Sequence, residues 1–253
     1  MHDYTSRPTD GQPPTQVDTD CGHAAAPVDI KAVEAALRVI LAPGQVTELR
    51  ALEAITADEG RPHTFSGYFD NAEKLAVAAG RIRKAKGIYF VLNPIKPALL
   101  ARAMNRARAV GREPTTSDHD IERRRWLPID CDAKRPAGVS ASDDEHQAAI
   151  NKASMIRAAL SAEGWPDPIL ADSGNGAHLL YPIDLPVDDG GLVQRCLEAL
   201  AARFDDDTVQ IDRVVYNPAR IWKLYGTLAA KGDAEAAAIG RPQRMASIID
   251  LPI

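Results

Sequence analysis

Two carboxylates one residue apart close an apolar run in Trp126-Leu127-Pro128-Ile129-Asp130-Cys131-Asp132. In an extended strand alternate side chains share a face, so Asp130 and Asp132 project together while Ile129 and Cys131 face the other way. Carboxylates suit hard cations such as Mg2+ and Mn2+, and Mg2+ is commonly held by one or two of them together with substrate phosphates. The pair therefore points to metal-assisted phosphoryl chemistry. The same separation recurs at Asp18/Asp20, Asp118/Asp120 and Asp205/Asp207, which fall in a Pro/Thr/Gln-rich leader, a polar loop and the end of an expected helix. Only Asp130 and Asp132 follow a strand-like run.

Other chemistry-bearing residues sit at the ends of expected strands. Ile169-Leu170-Ala171-Asp172 and Ala177-His178-Leu179-Leu180-Tyr181 flank Ser173-Gly174-Asn175-Gly176, a hairpin signal that places His178 just past a glycine-rich turn. A third acid, Asp212, ends the short apolar strand Val209-Gln210-Ile211. Arg220 and Lys223 lie on a further expected strand, Arg220 to Tyr225.

Earlier elements must position these. Asp29 predicts a capped helix from Lys31 to Leu41, Gln45 to Ala51 reads as a strand, and Thr64 to Phe69 as an aromatic second strand. Asp70 or Asn71 caps a helix to about Arg83, and the apolar run Gly87 to Leu92 predicts a central strand. Ala98 to Val110 predicts a helix, and a polar loop runs on through Asp120. Pro128 cannot donate to a ladder, which favours an edge, a bulge or a strand start there. Ser140 or Ser142 opens a helix from Asp143 to Ala162, and another runs from about Leu192 to Phe204. Alternating strands and helices with one clear hairpin give an α+β class with mixed α/β sheets.

The 253 residues can bury a proper core, and 45% hydrophobic with 26% charged residues is ordinary for a globular chain. No apolar run approaches the roughly 20 residues of a membrane span and the N-terminus lacks a signal-peptide pattern, so a cytoplasmic location and no membrane partner are expected. Cys21, Cys131 and Cys196 are too few and too widely spaced for a disulfide framework or a zinc site. Residues 1–28 show no apolar periodicity and read as a disordered leader. Residues 1–29 hold five Asp against Arg7, which accounts for −4 of the formal net charge of −5. The rest is nearly neutral and groups its bases at Arg81/Arg83/Lys84/Lys86, Arg102/Arg106/Arg108/Arg112, Arg123-Arg124-Arg125 and Arg213/Arg220/Lys223. A basic groove can track a phosphate backbone on an acidic protein. The arginine run at 123–125, just before the metal-bearing strand, is the candidate template contact.

In order and interval, Ile129-Asp130-Cys131-Asp132, then Ser173-Gly174-Asn175-Gly176-Ala177-His178, then Ile211-Asp212 followed by Asn217-Pro218-Ala219-Arg220-Ile221-Trp222-Lys223 resemble the archaeo-eukaryotic primase superfamily. The likeness is to its bacterial, phage and plasmid primase-polymerases; it covers about residues 60 to 250, with Tyr89 to Pro94 as the early strand. The resemblance implies an N-terminal α/β module at 29–120 and an RRM-like metal-binding module at 121–253. It also implies template-directed nucleotidyl transfer that makes or extends primers on single-stranded DNA. Asp130, Asp132 and Asp212 would be catalytic ligands of a two-metal Mg2+ or Mn2+ site, with His178, Arg220 and Lys223 on the triphosphate of a dNTP or NTP. Ser173, Gly174 and Gly176 would complete the nucleotide site; Gly176 stands where the family often has serine, so backbone N–H groups of 174–176 are expected to meet phosphate instead. The implied partners are a single-stranded DNA template, a primer strand and a nucleotide. No G-x-x-x-x-G-K-[ST] is present, so unwinding is assigned to a helicase domain or protein outside this sequence. The alternatives are a catalytically silent single-strand-binding module of a replication complex and a metal-dependent nucleotide-sugar transferase.

Overall fold

A computed structural model describes residues 28–58, 60–112, 114–232 and 239–252. The expected leader lies outside the described residues except for Val28, which bridges Thr227. Asp29 accepts the N–H of Ala32 and caps α1 (Ile30–Ile40), whose Val33, Ala36, Leu37 and Ile40 are buried. The chain then forms β1 (Thr47–Thr56) and β2 (His63–Phe69), and Asn71 caps α2 (Ala72–Gly80). It continues through β3 (Ile82–Lys84), β4 (Gly87–Val91), a 3-10 turn at Pro97–Arg102 and β5 (Arg108–Ala109). A second 3-10 turn, Asp118–Asp120, leads into β6 (Arg124–Ala133), the strand of the paired acids.

Ser142 and Glu145 form a reciprocal capping box that opens α3 (Asp143–Ala162). After it come β7 (Ile169–Asp172), β8 (Gly176–Leu185), α4 (Leu192–Phe204), β9 (Val209–Ile211) and β10 (Ile221–Lys223). The last elements are β11 (Leu228–Ala229), β12 (Arg244–Met245) and β13 (Ser247–Asp250). Among the described residues these make a mixed α+β protein with antiparallel strand pairing throughout its sheets.

The first sheet runs β10-β4-β1-β2-β5 with β3 attached to β1, the second runs β13-β7-β8-β6-β9, and β11 pairs with β12 in a small two-stranded sheet. Ile129, Cys131 and Ala133 of β6 enter the core with Ala149, Ala153 and Ile156 of α3. The alternation then sends Asp130 and Asp132 to the opposite face, as the strand period requires. Pro128 lies in the middle of the second sheet rather than at an edge. It is tolerated because β9 pairs only with Cys131 to Ala133, leaving that flank of β6 without a ladder at Pro128.

Two expectations need correcting. The segment from Ala98 to Val110 is not a helix: after the 3-10 turn Asn105 adopts a left-handed φ of 51°, and Arg108–Ala109 pairs with β2. Reciprocal bonds of Tyr68 with Ala103 and Asn105 hold the segment along β2, and a Cβ at Gly67 would run into the Arg106 carbonyl. Helix α2 also stops at Gly80, and Ile82–Lys84 turns back to pair with β1. Strand β10 joins the first sheet beside β4.

Candidate active site

Strand β6 lies between β8 and β9, and the register fixes its neighbours. Asp130 stands opposite His178 and Asp132 opposite Gly176 on one flank, while Gln210 faces Asp132 on the other. Strand β9 ends at Ile211, and the Asp212 N–H donates to the Asp130 carbonyl at 2.9 Å. That single bond brings the third acid beside the first two. Asp130 lies 3.5 Å from His178 Nε2, Asp132 3.3 Å from Arg135 Nη1, and Asp212 3.6 Å from Arg220 Nη2. Burial, followed by the negative charges of Asp132 and Asp212, pushes the Asp130 carboxyl well above its ordinary range, against the opposing pull of Lys231 and Arg220.

The three carboxylates are thus near enough to repel one another. Among the described residues, no group of three or more His, Cys, Asp or Glu side chains is gathered into a cluster that would hold a metal as it stands. Asp132 and Asp212 are turned toward arginines, and they would have to swing off these to share an ion. The donor chemistry itself, three hard oxygen ligands with mutual repulsion for a cation to relieve, fits Mg2+ or Mn2+.

His178 is 3% exposed and packs against the Trp222 ring at 4.1 Å between centroids. Its Nδ1 is 2.9 Å from the Tyr225 hydroxyl, which accepts the Trp222 indole N–H at 2.9 Å. Tyr225 is itself buried. The arrangement that satisfies all three rings has the Tyr225 O–H donating to Nδ1, which leaves Nε2 protonated and facing Asp130. Burial, and then the Lys223 charge, lower the His178 pKa to about 3, so it is a neutral N–H donor.

Strand β10 brings the cations across from the other sheet by pairing Lys223 with Tyr89 and Ile221 with Val91. Lys223 Nζ donates to the Leu228 carbonyl at 2.8 Å and sits 5.9 Å from the Tyr89 ring centroid. Burial lowers its pKa to about 7. Between the sheets lies a cleft of about 240 Å³ whose lining includes Asp130, Asp132, Asp212, Ser173, His178, Arg220 and Lys223. Asn175, Tyr89 and Lys231 also line it. Lys231 lies in none of the motifs read from the sequence, Asn175 falls in the glycine-rich turn but only its amide was expected to take part, and Tyr89 was visible as an aromatic residue on a strand, a type that is usually core.

The glycine-rich turn serves differently from expectation. Gly174 N–H donates to Asp172 Oδ1 and Gly176 N–H to Ser173 Oγ, so these amides are engaged within the turn rather than offered to phosphate. Gly174 has φ +88°, and a Cβ at Gly176 would run into the Cys131 carbonyl. Gly176 lets β8 close on β6, Gly174 lets the turn pack on Ala229 and Arg244, and Ser173 and Asn175 supply the polar side chains. Two acids outside the triad position its neighbours: Asp118 Oδ1 accepts the Ala219 N–H and Asp205 Oδ1 the Ile211 N–H, each at 2.8 Å.

Arg123, Arg124 and Arg125 are not among the residues lining the cleft. Arg124 is buried, donating to the Val187 and Tyr216 carbonyls and lying 3.5 Å from Asp189. Arg123 and Arg125 both pair with Asp184.

Compared with protein-family models, with curated proteins and with solved structures, the chain gives no match. No helix among the described residues is long and apolar enough to cross a membrane.

Proposed function

We propose that the chain is a template-directed nucleotidyltransferase, a primase-polymerase that makes or extends primers on single-stranded DNA. The observation that carries the reading is the meeting, in one cleft, of three carboxylates from the second sheet with the Arg220 and Lys223 cations from the first. An antiparallel sheet backed by α3 supports the finer fold reading of an RRM-like catalytic module within an archaeo-eukaryotic primase fold.

In the reaction, the 3′-oxygen of a primer attacks the α-phosphorus of the nucleotide. A new P–O bond forms as the bond to the bridging oxygen breaks, pyrophosphate leaves with the electron pair, and the hydroxyl proton passes to solvent. Asp130, Asp132 and Asp212 would hold the divalent cations, which when bound acidify the attacking hydroxyl and offset charge on the phosphates. Arg220, and Lys223 once it is protonated, neutralise the leaving pyrophosphate, because charges held in the cleft act where charge develops. His178 offers its Nε2–H to a phosphate oxygen, held in that tautomer by Tyr225. Ser173 and Asn175 add uncharged polar contacts.

The test incubates the protein with labelled dNTPs or NTPs, Mg2+ or Mn2+, and primed or unprimed single-stranded template. Metal-dependent strand growth is expected. Single-strand binding without any turnover would instead favour the silent module, and turnover of sugar nucleotides the transferase.

A further inference from the structure

A second groove adjoins the acids on the flank away from His178. It measures about 380 Å³ and is walled by the loop 134–139 and Gln210, and it shares Asp132 and Lys231 with the first cleft. Register fixes its side: His178 and Gly176 stand on the β8 flank of the acids, whereas Gln210 and the Lys134-to-Thr208 bond lie on the β9 flank. The loop is a built wall. Arg135 ties it together by donating to the Val139 and Ala133 carbonyls, and the Ser140 hydroxyl fastens its far end to the Lys231 carbonyl. Lys134 is exposed, and neither its ammonium nor that of Lys231 has a hydrogen-bond or ion-pair partner among the described residues.

In phosphoryl transfer the attacking and leaving oxygens lie roughly in line through phosphorus. With the leaving pyrophosphate drawn toward His178 on the β8 flank and Lys223 beside it, an attacking hydroxyl in line with it comes from the β9 flank of the carboxylates. The geometry points to the groove of residues 134–139, Gln210 and Lys231 as the seat of the primer's 3′-terminal segment, with Lys134 on its phosphate backbone. This assignment rests on the polymerase reading above. It gives the unpaired lysines an anionic partner and places the 3′-hydroxyl beside Asp132.

Primer extension by Lys134→Ala and Lys134→Glu tests it, because the side chain is exposed and unpaired and the fold does not depend on it. The expected result is a rise of about fivefold in KM for primed template. The slope of log KM against log salt should fall by about 0.9 in the alanine variant, because one duplex phosphate is no longer neutralised. KM for the nucleotide and kcat at saturating primer stay at wild-type values. A photoreactive thymine at the primer's penultimate position should cross-link to the 134–139 segment. Unchanged primer KM, an equal rise in nucleotide KM, or cross-linking of this loop by the template strand instead of the primer overturns the assignment while leaving the polymerase reading standing. A wild-type protein that extends no primer removes both.

Discussion

Lys223 shows how one buried position sets a dependence on pH. Burial holds its pKa at about 7, so above neutrality the free protein carries it uncharged, and a bound triphosphate must draw a proton onto it. Nucleotide affinity should therefore fall as pH rises from about 7.5 to 9, by at most about tenfold per unit, a range above the second phosphate pKa of about 6. Lys223→Met should bind more weakly and with a flat profile in that window; titration of labelled nucleotide at a series of pH values decides it, and a rising or flat wild-type profile contradicts the role. The sign for stability is opposite. Between about 7 and its ordinary value the unfolded chain binds the extra proton, so stability rises with pH through that window, and Lys223→Met should lose the rise. Tyr225 acts at the same scale: Tyr225→Phe leaves His178 Nδ1 and the Trp222 indole without their partner at a cost of about 1–3 kcal/mol for a buried unsatisfied group. Calorimetry should show the loss together with weakened nucleotide binding, and an unchanged melting temperature and affinity would argue against the tautomer assigned to His178.

At the scale of elements, the closure of β8 on β6 depends on Gly176. Gly176→Ala pushes a methyl into the Cys131 carbonyl between the acids and His178, and should cost about 1–3 kcal/mol along with most of the activity. Gly111→Ala, with open space around it, should stay within about 0.5 kcal/mol of wild type in the same denaturant titration. Equal melting for the two variants would contradict the close approach. The strand with the acids, the hairpin with His178 and helices α1, α3 and α4 were legible because caps, apolar periods and turn residues all agreed there. Asp130 and Asp132 could be read as one face because a strand has period two. What stayed hidden depends on partners distant in sequence. Ala98 to Val110 has helical composition but is claimed by the edge of β2. Arg124 reads as a surface cation in a run of three. In the fold it is a buried tie to Val187, Tyr216 and Asp189, so Arg124→Ala should cost about 3 kcal/mol, and a melting curve matching wild type would exclude that role.

For the whole molecule the question is how a chain of net charge −5 meets an anionic strand. Most of that charge lies in residues 1–29, so the remainder can bind single-stranded DNA at low salt through local cations. Contact with about three to five phosphates predicts a log–log salt slope of about −2 to −3.5 for a single strand, and removing residues 1–27 should leave binding unchanged or tighter. Because Arg123 and Arg125 are already paired with Asp184, replacing both with serine should leave the slope as it was; a shallower slope would return them to the binding surface. The central claim is that Asp130, Asp132 and Asp212 act together on one reaction, and the most direct measurement is single-nucleotide extension of a labelled primer with Mg2+ or Mn2+ present. Wild type should extend the primer only with the metal. Asp130→Asn, Asp132→Asn and Asp212→Asn should each reduce extension to background; Asp130→Asn should melt no lower than wild type, since it relieves the repulsion of its two neighbours, and Asp207→Asn, an exposed acid outside the cleft, should extend normally. Retained extension by a folded Asp130→Asn protein, or metal-independent extension by wild type, would contradict the account.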